Sequence, residues 1–148
     1  MHLLQVAQER VTSRHLMNPI TVLIVDDHDE LRRVLVRRLD GLSGLEVIGE
    51  TSSPTRGVEI AAASHPDVIL FDAPAPGLYG AELCSRIVRA SPSSRVVVFT
   101  SMLDQETEVA YRRAGANRCL IKGLAVGDLV GELTAIARGE ETNHGTSN

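Results

Sequence analysis

The segment ITVLIVDDHDELRRVLVRRLD, residues 20–40, is the clearest evidence in the sequence for the class of fold. Its first six residues are a continuous, largely β-branched run, which is typical of a strand that is covered on both faces. From Asp29 onward the apolar residues recur at helical spacing and the arginines fall largely on the opposite side. This pattern predicts an amphipathic helix that stops near Gly41 and Gly44. A buried strand that leads directly into a helix is the building unit of α/β folds.

Strand and helix patterns alternate along the rest of the chain. Further strands are predicted over residues 45–50, 67–72, 94–100 and 117–122, and a helix is predicted after each of them. A (βα)5 alternation implies right-handed crossovers and a parallel sheet that is wrapped by helices on both faces. We therefore predict a doubly wound, flavodoxin-like α/β domain with the strand order 2-1-3-4-5.

The length and composition of the chain fit a single folded domain. With 148 residues, of which 43% are hydrophobic, the chain can bury one sizeable core but is too short for two ordinary domains. We expect this domain to span residues 20–139, between a flexible leader over residues 1–19 and a disordered polar tail over residues 140–148. A short amphipathic helix is the alternative for the leader.

The charge balance and the cysteines argue against several classes of function. The formal net charge is -4 and the sequence pI is about 5.7, so direct binding to nucleic acid is not expected. The sequence has no apolar run of membrane-spanning length and no secretory signal, and we expect a cytoplasmic protein without a membrane partner. Cys84 and Cys119 lack the density and spacing of a disulfide framework, which favours two reduced, buried thiols.

Four of the predicted strands end on residues that can do chemistry. The first ends at Asp26-Asp27, the third at Asp72, the fourth at Thr100 and the fifth at Lys122. The carboxyl ends of parallel strands lie along one edge of a sheet, where open α/β folds place their ligand crevices. The three acids, the hydroxyl and the ammonium are therefore expected to converge.

Three neighbouring carboxylates predict a site for a divalent cation. Like charges packed together need a compensating cation, and Mg2+ is the simplest choice because it prefers oxygen ligands. Since Mg2+ commonly takes only one or two carboxylates, one acid would remain to attack a phosphorus atom. A nearby ammonium and hydroxyl, here Lys122 and Thr100, would hold the phosphoryl oxygens.

Four motifs, in this order, resemble the receiver domain of two-component response regulators. They are VLIVDDH at 22–28, VILFD at 68–72 followed by Pro76-Gly77, VVVFTS at 96–101 and IKG at 121–123. The resemblance covers residues 20–139, which would form the receiver domain. The VDDH opening and the LTAIARGE close at 133–140 are most similar to receivers of the helix-turn-helix (NarL/LuxR-type) subfamily.

This resemblance implies a separate role for each strand-end residue. Asp72 would accept a phosphoryl group from a sensor histidine kinase in a Mg2+-dependent reaction, Lys122 would pair with the phosphoryl oxygens, and Thr100 would swing toward them afterwards. The implied Mg2+ ligands are Asp26 (mainly through water), Asp27, Asp72 and the backbone carbonyl of Pro74. The family implies a conformational signalling switch rather than an enzyme, with the kinase as a partner and a homodimer as a further option.

Two positions depart from the pattern of the family. Pro74 stands where a donor-bearing residue is usual, and it has no N–H to offer a phosphoryl group. Cys119 occupies the apparent place of the aromatic residue on strand five that usually changes rotamer together with the threonine. Both departures favour an alternative function, a phosphorylation-independent interaction module with the same fold.

Other patterns in the sequence have plainer interpretations. His28 is interpreted as a surface residue at the start of a helix, with a position near the pocket as the alternative. The arginines at 32, 33, 37 and 38 are interpreted as a solvated helix face, with docking of a partner as the alternative. A phosphatase with an aspartate nucleophile would carry a D-x-D signature, whereas Asp72-Ala73-Pro74 lacks the second acid. The glycine-rich motifs that bind nucleotides do not occur in the sequence.

Overall fold

A parallel sheet with helices on both faces forms the molecule, as seen in a computed structural model that describes residues 18–42, 44–72 and 78–140. The strands are β1 (Ile20–Val25), β2 (Leu45–Thr51), β3 (Val68–Phe71), β4 (Arg95–Thr100) and β5 (Arg118–Ile121). The helices are α1 (Asp29–Leu39), α2 (Pro54–Ser64), α3 (Leu78–Ala90), α4 (Gln105–Arg113) and α5 (Val126–Ala137). The predicted leader and tail lie almost entirely outside the described residues, as does Pro74.

The order of the strands confirms the predicted flavodoxin-like topology. Among the described residues, five strands pair in the order β2-β1-β3-β4-β5, and all of these pairings are parallel. Val25 at the end of β1 is in register with Phe71 at the end of β3. The chain therefore leaves these two neighbouring strands at the same level of the sheet, and the residues that follow are Asp26 and Asp72.

The sheet carries one apolar core on each of its faces. Residues 22–25 of β1 are all 0% exposed, and because successive side chains of a strand point to opposite faces, they contribute to both cores. One core contains the α1 residues Leu35 and Leu39 and the α5 residues Leu129, Leu133 and Ile136. The other core contains Ala61 of α2, Leu83, Cys84 and Ile87 of α3, and Tyr111 of α4. Burial on both faces confirms the interpretation of the first apolar run.

Helix α2 lies close to the sheet because residue 57 is a glycine. A Cβ atom at Gly57 would lie only 2.8 Å from Cγ2 of Val25. The helix begins where the sequence predicts, since the Ser53 hydroxyl accepts a hydrogen bond from the Arg56 N–H at 3.2 Å and a proline occupies the first turn. This packing fixes the end of β1, immediately before Asp26 and Asp27.

Helix α4 is held to the sheet by few side chains. Its buried residue is Tyr111, which is 2% exposed, whereas Val109 is 43% exposed. The helix is nevertheless well started, because the Asp104 carboxylate accepts a hydrogen bond from the Thr107 N–H at 2.7 Å. None of the helices within the described ranges has the length and apolar character needed to cross a bilayer.

The two cysteines lie against the core that α2, α3 and α4 cover. Cys84 is fully buried as predicted, but Cys119 on β5 is only partly buried. Burial raises the pKa of Cys84 to about 12 and the pKa of Cys119 to about 11. Both thiols are therefore protonated at neutral pH and are poor nucleophiles.

Candidate functional site

Backbone hydrogen bonds between neighbouring strands place Asp26 and Asp72 side by side. The N–H of Asp72 donates to the carbonyl of Val25 at 2.9 Å, and the N–H of Asp26 donates to the carbonyl of Thr51 at 3.0 Å. Each acid thus continues the ladder of the sheet by one residue beyond its strand. Both are buried, with Asp26 3% and Asp72 5% exposed.

Lys122 follows β5, on the far side of β4, and its side chain contacts both of these acids. Its N–H donates to the carbonyl of Thr100 at 2.7 Å, which fixes the start of the side chain at the same edge of the sheet. The ammonium lies 2.5 Å from Oδ2 of Asp72 and 2.9 Å from Oδ2 of Asp26. The lysine side chain is only 10% exposed. The structure thus brings Asp26, Asp72 and Lys122 together, as the sequence predicts.

Burial and neighbouring charges shift the pKa values of Asp72 and Lys122. Burial raises the pKa of Asp72, the hydrogen bond and the charge of Lys122 lower it in part, and the Asp26 charge raises it further. Burial alone would lower the pKa of Lys122, but its hydrogen bonds to Asp72 and Asp26 outweigh this effect, and the pKa is raised. Lys122 is therefore a fixed ammonium at neutral pH.

Asp27 completes a group of oxygen donors on the solvent side of the pair. Its side chain is 42% exposed, far more than the two buried acids. Carboxylate oxygens of Asp26, Asp27 and Asp72 and a nitrogen of His28 all lie within 4.8 Å of one another. Because Mg2+ prefers oxygen ligands and retains several waters, a partly exposed set of three carboxylates fits this ion.

His28 lies in the site, which is the alternative that the sequence interpretation did not favour. It is the N-cap of α1, and its side chain is 61% exposed, as expected for a surface position. Its Nδ1 atom, however, lies 3.0 Å from Oδ1 of Asp26, 3.3 Å from Oδ1 of Asp27 and 3.5 Å from Oδ2 of Asp72. The signal in the sequence was its position directly after the acid pair, in the turn that carries the chain from β1 into α1.

Arg32 corrects the prediction that the arginines of α1 form one solvated face. Arg33, Arg37 and Arg38 are exposed, but the Arg32 side chain is only 12% exposed. Its Nη1 donates to the backbone carbonyl of Asp26 at 2.7 Å, and its Nη2 lies 2.8 Å from a carboxylate oxygen of Asp29. Arg32 therefore holds the turn between β1 and α1, on which two of the acids and His28 depend.

Thr100 lies at the end of β4 as predicted, but its hydroxyl does not contact the acids. Within the described residues, Oγ1 of Thr100 makes two long hydrogen bonds with the backbone of Met102, at 3.4 and 3.5 Å. Its carbonyl accepts the hydrogen bond from Lys122 that was described above. The backbone of Thr100 thus contacts Lys122 of the cluster, whereas its hydroxyl bonds to the backbone of Met102.

Comparisons with known proteins bear on the family to which this chain belongs. The family model for the response regulator receiver domain matches residues 22–134. The nitrate/nitrite response regulator protein NarL of Escherichia coli K12 is 34% identical over 122 residues, which are 82% of this chain and 56% of that protein. The transcriptional regulatory protein LiaR of Bacillus subtilis is 34% identical over 121 residues, 82% of this chain and 57% of the relative. The chain thus spans a little over half the length of these relatives.

The fold of this chain is also similar to that of a solved structure. The signal receiver domain of a NarL response regulator from Mycobacterium tuberculosis superposes with a TM-score of 0.75 at 27% sequence identity. The match covers 83% of this chain and 99% of that structure. The similarity therefore extends over nearly the whole of the solved receiver domain.

Proposed function

Because the chain belongs to the response regulator receiver domain family, we propose that it is a phosphorylatable signalling switch with Asp72 as its phosphoryl acceptor. The observation that carries the proposal is the Lys122 ammonium, which lies 2.5 Å from Asp72 and 2.9 Å from Asp26 at the carboxyl edge of the sheet. A nucleophilic carboxylate, a second acid and a fixed cation are thereby available together. The family is one of signalling receivers rather than of enzymes that act on a separate substrate.

The proposed reaction uses Asp72 as a carboxylate. One of its oxygens attacks the phosphorus atom of the donor, and the bond from phosphorus to the nitrogen or oxygen of the donor breaks. The leaving group keeps the electron pair, and an acyl phosphate forms on Asp72. Burial raises the pKa of Asp72, and Lys122 acts against that effect, so the lysine favours the reactive anion.

Asp26, Asp27 and Asp72 are the proposed ligands for Mg2+, which receiver domains bind in their acidic pocket. The backbone carbonyl of Pro74, outside the described residues, is proposed as a further ligand. When bound, the ion would neutralise charge on the transferring phosphoryl group. The position of that group depends on Asp26 and Asp72, whose backbones are held by hydrogen bonds to the neighbouring strands.

After transfer, the response is proposed to begin at Thr100. Its hydroxyl holds the Met102 backbone only by hydrogen bonds of 3.4 and 3.5 Å, which cost little to break. A phosphoryl group paired with Lys122 would offer that hydroxyl stronger, charged acceptors. Helix α4, with Tyr111 as its buried residue, is the neighbouring element that can shift with the loop.

The phosphoryl donor is proposed to be a sensor histidine kinase, with acetyl phosphate as a small-molecule substitute. The cytoplasm is the proposed location. A homodimer is proposed as a further partner arrangement. With a formal net charge of -4, this chain is not proposed to bind nucleic acid directly.

A second candidate function is a phosphorylation-independent interaction module. Cys119 favours it, because a partly buried thiol on β5 replaces the aromatic ring that usually moves with the threonine. Without such a ring, phosphorylation at Asp72 would have one fewer element to move. The two candidates differ in whether the chain accepts a phosphoryl group at all.

One experiment separates the two candidates. The full chain is incubated with acetyl phosphate in Mg2+ or in a chelator, and its intact mass is recorded. We expect one phosphoryl adduct that falls at least about tenfold when the metal is removed, because a bound metal ion is worth several kcal/mol of charge stabilisation. An unchanged mass in both conditions, from a protein that is still folded, would exclude the switch and leave the interaction module.

A further inference from the structure

The Nδ1 atom of His28 lies inside the acidic cluster, where an oxygen-binding ion alone would not require it. It is within 3.5 Å of a carboxylate oxygen from each of Asp26, Asp27 and Asp72. We propose that His28 is a direct nitrogen ligand for a divalent transition-metal ion such as Mn2+ or Co2+. This inference rests on the proposed function in one respect, since it takes the same cluster to be the divalent-ion site.

The spacing of the donor atoms matches a single coordination sphere. For metal–ligand bonds of about 2.1 Å in octahedral geometry, adjacent ligand atoms are about 3.0 Å apart and opposite ones about 4.2 Å apart. Nδ1 of His28 lies 3.0, 3.3 and 3.5 Å from its three oxygen neighbours, close to the adjacent separation. The full spread of 4.8 Å is slightly wider than the opposite separation. Small side-chain movements would bring all four donors onto one ion.

Two backbone anchors hold the imidazole at this position. The N–H of His28 donates to Oδ1 of Asp26 at 2.9 Å, and the carbonyl of His28 accepts the N–H of Arg32 at 2.9 Å. Arg32 in turn binds the Asp26 carbonyl at 2.7 Å. The residue is therefore fixed both to the acid pair and to the first turn of α1. Because its side chain is 61% exposed, the ring lies at the mouth of the site, where an ion enters.

The contact with Lys122 is consistent with a ring nitrogen that presents a lone pair to the cluster. Nζ of Lys122 lies 3.1 Å from Nδ1 of His28. An ammonium carries only donors, so this contact is a hydrogen bond only in the tautomer in which Nδ1 is the acceptor. The competing account is that Nδ1 carries the proton and donates to Asp26 at 3.0 Å, with no role toward a metal. A metal ligand requires the first tautomer.

A nitrogen donor in the site should favour some divalent ions over others. An imidazole nitrogen is a better ligand for Co2+, and to a lesser degree for Mn2+, than for Mg2+, which prefers oxygen ligands and keeps several waters. Removal of the ring should therefore weaken Co2+ and Mn2+ binding and leave Mg2+ binding nearly unchanged. A purely structural role of His28 would instead weaken all of these ions together.

The first test is calorimetric titration of the full chain with Co2+ and with Mg2+. The variant is His28→Phe, and the matched control is His65→Asn, which removes a histidine that caps α2 at the other edge of the sheet and whose left-handed backbone (φ 45°) suits asparagine. We expect His28→Phe to lower Co2+ affinity at least about tenfold, since even outer-shell changes cost that much. Mg2+ affinity should stay within about twofold, because water can take the vacated position. The control should change neither.

The second test detects the nitrogen directly. Pulsed electron paramagnetic resonance of bound Mn2+ should show coupling to one imidazole nitrogen in the wild type and in His65→Asn, and none in His28→Phe. Bound Mn2+ without this coupling in the wild type, or equal losses of Co2+ and Mg2+ affinity in His28→Phe, would overturn the inference while leaving the magnesium site intact. If the wild type binds neither Mg2+ nor Co2+, both the inference and the proposed function fail.

Discussion

Replacing Asp72 with asparagine is expected to remove the phosphoryl adduct completely while the protein stays folded. An amide lacks the anionic oxygen that attacks phosphorus, and the other acids are poorly placed to substitute for it. Asp26 is buried 2.9 Å from the lysine, and Asp27 is 42% exposed. The measurement is the intact mass after incubation with acetyl phosphate and Mg2+.

The matched control for this variant is Asp67→Asn, the same substitution just before the other end of β3. Oδ2 of Asp67 accepts hydrogen bonds from the backbone N–H of Thr21 at 2.9 Å and from its hydroxyl at 3.1 Å. Loss of the charge there should cost about 1 kcal/mol of stability but leave the adduct at the wild-type level. An adduct of wild-type yield in Asp72→Asn would contradict the assignment of the acceptor.

The same variant should also change how stability depends on pH. Because the folded-state pKa of Asp72 is raised, the stability that its neutral form contributes is fully present below the usual aspartate pKa and is lost as pH rises through the folded-state pKa. Asparagine cannot ionise, so the variant lacks this loss. The free energy of unfolding of Asp72→Asn minus that of wild type should therefore increase from acidic to neutral pH. Denaturant titrations in a chelator at pH 4 and pH 7 would measure the difference.

Replacing Lys122 with methionine is expected to cause the largest loss of stability. The ammonium is the charge that lies between the two buried carboxylates, and methionine keeps the bulk of the side chain but not the charge. Removing one partner of a buried ion pair typically costs about 3 kcal/mol or more. The loss should appear as a lower midpoint of denaturation at neutral pH in a chelator.

Magnesium and a charge-conserving variant provide the controls for Lys122. A divalent ion bound by the same acids should restore part of the loss, by about 2.7 kcal/mol at a hundredfold excess over the dissociation constant. Lys122→Arg keeps the positive charge and should lose less stability in the chelator than Lys122→Met, because the buried acids stay paired with a cation. Equal stability of the methionine variant and wild type without metal would mean that the lysine does not compensate the acids.

The fold and the main site were predictable because both depend on regular geometry. The residues of β1 that are buried on both faces produce a continuous apolar run, and the start of α1 changes that run to helical spacing. The strand order then determines that β1 and β3 are neighbours and end together at Val25 and Phe71. The approach of Asp26, Asp72 and Lys122 follows from that order.

The features that the sequence did not predict depend on side-chain direction. His28 and Arg32 both follow the acid pair closely, but the sequence interpretation favoured the surface for both of them. The first turn of α1 lies over the end of β1, so a long side chain there can reach back to the Asp26 carbonyl. The Thr100 hydroxyl could have faced either the cluster or its own loop, and the backbone position is the same in both cases. Spacing alone does not fix a rotamer.

Chemical mapping of the phosphoryl group tests directly whether Asp72 is the acceptor. Borohydride reduces an acyl phosphate on aspartate to homoserine, and peptide sequencing by mass spectrometry then identifies the labelled position. After treatment with acetyl phosphate and Mg2+, we expect homoserine at position 72 and unmodified aspartate at Asp26 and Asp27. Homoserine at either of those two positions, or a phosphorylated protein without any homoserine, would contradict the account.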